Sequence, residues 1–70
     1  MSEDAAVRLL AEGIYPSAYN EAVWLEPGQS ESETMHWAGV MVNERRNTEA
    51  YARQLLTLWR SRGVDFVEPA

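Results

Sequence analysis

The chain contains no cysteine and no lysine, has a single histidine among its 70 residues, and nowhere strings together a long apolar run. Without cysteine, disulfides and thiolate metal sites are excluded, and a reducing compartment is the natural setting. A bilayer span would need about 20 consecutive apolar residues. The opening Met1-Ser2-Glu3-Asp4 lacks the positive start and apolar centre of a signal peptide. These absences lead us to expect a cytoplasmic protein with no membrane contact. Nucleophilic and phosphate chemistry also lack their usual residues. There is no Gly-x-Ser-x-Gly elbow and no Gly-rich phosphate loop. A chain this short spends most of its residues on its own core, leaving little for a pocket that orients several groups. The expectation is a non-enzyme with no cofactor.

Length carries a second constraint. A single domain of about this size buries only about 60% of the surface its unfolded chain exposes. Small scaffolds usually add a disulfide, a metal or a second copy of themselves. With disulfides excluded, self-association as a homodimer or a partner protein is the expected supplement.

Three tryptophans, Trp24, Trp37 and Trp59, stand out among what is present. They fall in three different segments, so each is a candidate anchor between one element and a shared core. Trp59 fits an apolar arc best. Trp24 lies off the best apolar face of its segment and is expected to be exposed, as a binding hot spot.

Charge is divided along the chain. Residues 1–43 carry Arg8 against seven acids, a net −6, whereas residues 44–63 carry five arginines against Glu44 and Glu49, a net +3. The whole chain is −5, which opposes general nucleic-acid binding.

Local signals divide the chain into four segments. Ser2 is placed to cap a helix over Ser2–Glu12, with Glu3 and Asp4 in its first turn and Gly13 at its end. Ala6, Val7 and Leu10 give it a short apolar stripe. Pro16 suits the first position of a second element, which Pro27-Gly28 ends. Ser30 and Glu33 have the capping-box spacing ahead of a third, Ser30–Arg46. The fourth, Thr48–Arg62, is the clearest: Tyr51, Ala52, Leu55, Leu56, Leu58 and Trp59 share an arc of about 160° at helical spacing. Asn47 or Thr48 is its expected cap and Gly63 its expected stop. The third and fourth segments are read as a hairpin or as one bent helix. The tail, with Phe66, is expected to fold back on the core. The fold expected is therefore all-α, a small bundle of about four short helices. The alternative is α+β, a helix–β-hairpin–helix with strands near residues 21–26 and 34–42, since Val, Trp and Leu also suit strands.

Three sets of residues are candidates for function. The acids Glu26, Glu31 and Glu33, with Trp24 and Tyr19, form a negative and aromatic surface suited to a basic partner. The arginines Arg46, Arg53 and Arg60 recur every seven residues opposite the apolar arc, as on a nucleic-acid recognition helix, although a solvated stripe is the ordinary explanation. Glu33 and His36 have the Glu-x-x-His spacing of carboxylate-bridged metal sites in helical bundles, which would need further ligands, nominally Glu12, Glu21 and Glu26. Tyr51, Leu55, Leu58 and Trp59 are assigned to the core or to a dimer interface.

The functional class favoured is a small acidic protein-binding module. Such a module could act as an inhibitor or regulator of nucleic-acid-processing machinery, of the kind phages and mobile elements encode. A DNA-binding regulator using the fourth segment and a metal-binding accessory subunit are the alternatives.

Overall fold

In a computed structural model that describes residues 2–64, every regular element is helical. The elements are α1 (Glu3–Ile14), a 3-10 turn (Pro16–Tyr19), α2 (Glu21–Trp24) and α3 (Glu31–Ser61). The all-α expectation holds. Among the described residues there is no strand, so the β-hairpin alternative is set aside, and there are three α-helices rather than about four. The expected packing of Phe66 lies outside the described residues.

The helix starts follow the sequence closely. The Ser2 hydroxyl accepts from the Ala5 amide at 3.1 Å, and the Ser30 hydroxyl from the Glu33 amide at 3.1 Å. Each thus satisfies one amide that has no partner within the helix. Helix α1 runs to Ile14, one residue past Gly13, its expected stop. Pro16 ends it instead: a residue before proline is pushed out of the helical region, and Tyr15 takes φ −138° and ψ 73°.

The second segment is not one helix. Asn20 leaves helical geometry at φ −122° and ψ 95°, and its side-chain oxygen accepts from the Ala22 amide at 3.2 Å. A short Asn side chain competes well for nearby backbone groups. It therefore ends the 3-10 turn and caps the single turn of α2. Pro27-Gly28 then reverses the chain, with Gly28 at φ 81° and the Gln29 amide donating to the Glu26 carbonyl at 3.1 Å. That positive φ is where a turn with proline before it requires glycine.

The third and fourth segments form one uninterrupted helix of 31 residues. At 1.5 Å per residue it is about 47 Å long, which accounts for the 49 Å long axis of the molecule. The expected cap at Asn47 or Thr48 is not used. The Thr48 hydroxyl instead donates back to the Glu44 carbonyl at 2.7 Å, a bond compatible with continued helix. Neither proline nor glycine lies between Val40 and Arg62, so nothing obliges the chain to break. Gly63, at φ 80°, follows the helix end as expected.

Helix α1 lies antiparallel to the C-terminal half of α3. Asp4 is bonded to Arg53 and Glu3 to Arg60, while the turn after α1 is tied to Arg45. Between the two helices sit Ala6, Val7, Ala11, Ala52 and Leu56, all buried, with Leu10, Tyr19 and Trp59 packed at the margin. Leu56 and Val7 are the largest side chains fully buried. The core is thus built from small residues that let two helices approach, with tryptophan only at its edge. That corrects the expectation that each of the three tryptophans anchors a shared core.

Candidate functional site

The connector from Tyr15 to Ser30 folds back beside the N-terminal half of α3 and leaves a cleft of about 370 Å³ between them. Trp24 and Val23 from α2 and Trp37 and Met41 from α3 supply apolar wall. Glu26 and Glu33 supply two carboxylates, and among the described residues no cation lines the cleft. The connector is held in shape by Gln29, whose side-chain oxygen accepts from the Glu26 amide at 2.9 Å. Ser30, by capping α3, fixes where Glu33 and, one turn on, Trp37 emerge.

The tryptophans exchange the roles expected of them. Trp24 is half-buried, whereas Trp37 is 41% exposed. The indole N–H of Trp24 is buried and has no acceptor among the described residues.

Tyr19 lies next along the connector, between two arginines. The Arg8 guanidinium stands 4.4 Å and that of Arg45 5.3 Å from the ring centre. Arg45 also donates to the Ala18 carbonyl at 2.6 Å, which ties the 3-10 turn to α3. The Tyr19 hydroxyl is buried and has Glu49 as its nearest acceptor, in a contact too poorly aligned to be a full hydrogen bond. Burial first, and the negative charge of Glu49 second, push its pKa above the ordinary 10.0, while Arg8 and Arg45 pull it down. Tyr19 is thus a structural node that joins the connector to α3. Nothing in the sequence marked Arg45 or Arg8 for this role, because both contacts depend on how the connector folds.

The arginine stripe does not stand clear of the packed face. Arg53 reaches Asp4 at 3.1 Å and Glu3 at 3.7 Å, and Arg60 reaches Glu3 at 3.5 Å. Two of the three expected partner-binding arginines therefore close the α1–α3 seam. Glu49 and Arg53 stand four residues apart on α3, but among the described residues Arg53 turns to Glu3 and Asp4 of α1 instead. Arg46 is exposed on the long helix. Of the acids, Glu26 and Glu33 meet at the cleft, and Glu31 is exposed in the first turn of α3.

The third candidate set also separates. Leu55 and Trp59 are half-buried, but Tyr51 is 53% and Leu58 45% exposed. These last two lie outside the core of the single chain. Glu33 and His36 are both exposed, and His36 meets Trp37 edge-to-face at 5.7 Å. Among the described residues no three His, Cys, Asp or Glu side chains gather as metal ligands. Glu12, a nominal further ligand, is paired with Arg8 at 3.0 Å.

Comparison with known proteins adds no assignment. No family model matches the chain, and no curated protein or solved structure shows significant similarity to it. Among the described residues no helix is long and apolar enough to cross a membrane.

Proposed function

We propose that the chain is a small acidic, non-catalytic protein-binding module that docks onto a basic surface of another protein. The observation that carries this reading is the aromatic cleft lined by Glu26 and Glu33 with no cation. It lies in a stretch, residues 9–44, that contains acids and no arginine or lysine. Complementary potential of this kind speeds encounter and selects partners of opposite charge. A basic surface is what nucleic-acid-processing proteins present to their substrates. An acidic module that covers one would act as an inhibitor or regulator, and would do so in the cytoplasm. The pairing of Arg53 and Arg60 with α1 weighs against direct DNA contact through α3. A second copy of the chain is the partner we propose for the exposed Tyr51 and Leu58, since a two-helix core this small gains from a wider interface.

The test is affinity capture on the tagged chain, followed by reconstitution with the purified partner at rising salt. The expected result is a stoichiometric complex with a basic protein that weakens as salt rises. A complex insensitive to salt, or none of defined stoichiometry, would overturn the reading.

A further inference from the structure

We propose that the cleft between Trp24 and Trp37 is a socket for an arginine side chain presented by a basic polypeptide segment. This rests on the reading of the chain as a binder of basic proteins and adds the ligand group and the place where it enters.

The chemistry of the lining selects the group. Indole faces attract cations more strongly than other aromatic side chains do, and two indoles line the cleft, one from α2 and one from α3. Glu26 and Glu33 bring two negative charges and no cation competes for them. A cleft of about 370 Å³ falls within the range of roughly 300–1,000 Å³ typical of ligand sites. Among cations, guanidinium fits best. It is planar, more weakly hydrated than ammonium, stacks on aromatic faces and offers a fork of donors to a carboxylate. The same molecule already packs arginine on an aromatic ring, where Arg8 and Arg45 stand over Tyr19. At the cleft the aromatic groups and carboxylates are present and the arginine is not supplied by the lining.

The preparation of the site is visible in the connector. Gln29 bonds back to the Glu26 amide, Gly28 makes the turn, and Ser30 caps α3, so Glu26 and Glu33 are set on either side of a fixed bend. Trp37 is exposed at the cleft in the free chain. An incoming guanidinium would cover it without displacing any core residue.

The experiment is calorimetric titration of the full chain with three synthetic peptides of one sequence, in which a single central position is arginine, lysine or citrulline and the flanks are basic. The arginine peptide should bind the wild-type chain best. The citrulline peptide, which keeps the shape without the charge, should bind about tenfold more weakly, and the lysine peptide should fall between. Trp37→Ala should weaken the arginine peptide about tenfold and abolish the preference for arginine over citrulline. Glu33→Gln should reduce both by a smaller factor. Glu44→Gln, with the same change in charge outside the cleft, should change binding less than about twofold. Trp37 is outside the core, so Trp37→Ala should keep the helical circular dichroism of the wild type. If it does not, Glu33→Gln, at an exposed carboxylate, carries the test alone. Binding of basic peptides that ignores Trp37→Ala and Glu33→Gln, or equal affinity for arginine and citrulline, would overturn the socket and leave the broader reading standing. No saturable binding of any peptide by the wild-type chain would overturn both.

Discussion

The two halves of α3 are one continuous helix with opposite surroundings. From Thr48 to Trp59 it buries Thr48, Ala52 and Leu56 and is flanked by α1, whose acidic first turn is paired with Arg53 and Arg60. From Glu31 to Val42 it buries only Met41, while Met35 is 70% and Val42 52% exposed and Trp37 faces a cleft. The C-terminal half thus carries most of the buried side chains of α3, and the N-terminal half extends beyond the core with most of its side chains displayed. An isolated helix of about 12–15 residues is marginal in water. Continuity through Asn47 lets the displayed half be nucleated by the packed half. This arrangement divides the chain between a core of small residues at one end and exposed apolar and acidic side chains at the other.

Substitutions should divide along the same line. Leu56→Ala removes one of the two largest fully buried side chains and should cost about 2–5 kcal/mol, a large share of the stability of so small a domain. Urea denaturation will show whether the chain still folds cooperatively. Arg45→Ala, which removes the 2.6 Å bond to the Ala18 carbonyl, should cost about 1–2 kcal/mol. It should also loosen the connector, seen as faster amide exchange from Pro16 to Trp24.

Gly39 offers a change of the opposite sign. It lies inside α3, and a Cβ there would meet nothing within 4 Å. Gly39→Ala should therefore stabilise the displayed half by about 0.5–1 kcal/mol, read as slower exchange from Glu31 to Val42. A loss of stability would mean that this half makes contacts the present account does not give it.

Tyr19 predicts a pH dependence. Its pKa is raised in the folded chain, chiefly by burial and then by Glu49, so the folded state holds the phenolic proton more tightly than the unfolded state does. The stability linked to that proton is complete below the ordinary value of 10.0 and is lost as pH climbs through the higher folded value. Tyr19→Phe should flatten this decline in melting temperature above pH 10. It should cost at most about 1 kcal/mol at neutral pH, because the hydroxyl it removes makes no more than a weak contact with Glu49. The smallest effect is expected at Met35, where truncation to Ala should change stability by less than about 0.5 kcal/mol. A larger loss there would erase the distinction between the halves.

What could be read from the sequence was mostly punctuation. Ser2 and Ser30 cap the helices the pattern assigned to them, Pro27-Gly28 turns the chain, and Gly63 follows the last helix. The apolar stripe of α1 also packs as its spacing implies. The errors share a cause. Thr48 can cap a helix or bond back within one, and Asn20 can sit inside an element or break it; the sequence holds both choices equally open. Period also gives an arc without saying which part is covered. The arc from Tyr51 to Trp59 spans about 160°, but α1 is a single helix and covers only the sector around Ala52 and Leu56, leaving Tyr51 and Leu58 outside. The pairing of Asp4 with Arg53, 49 residues apart, has no local signature.

The cleft was half legible. Trp24, Glu26 and Glu33 stood out as an acidic and aromatic surface. Trp37 was assigned to a core that would have required another helix against the N-terminal half of α3. With the third and fourth segments joined, no such helix exists among the described residues, and Trp37 is left beside the connector.

The three tryptophans supply the most direct measurement, since Trp24 and Trp37 line the cleft and Trp59 lies at the core margin. In a nitrogen-15 correlation spectrum each indole N–H gives its own signal. Titration with the arginine peptide should move the Trp24 and Trp37 signals, together with backbone amides from Tyr15 to Met41, and leave Trp59, Ala52 and Leu56 in place. Movement centred on Trp59 and α1, or an unchanged spectrum at saturating peptide, would contradict the assignment of binding to the displayed half of the molecule.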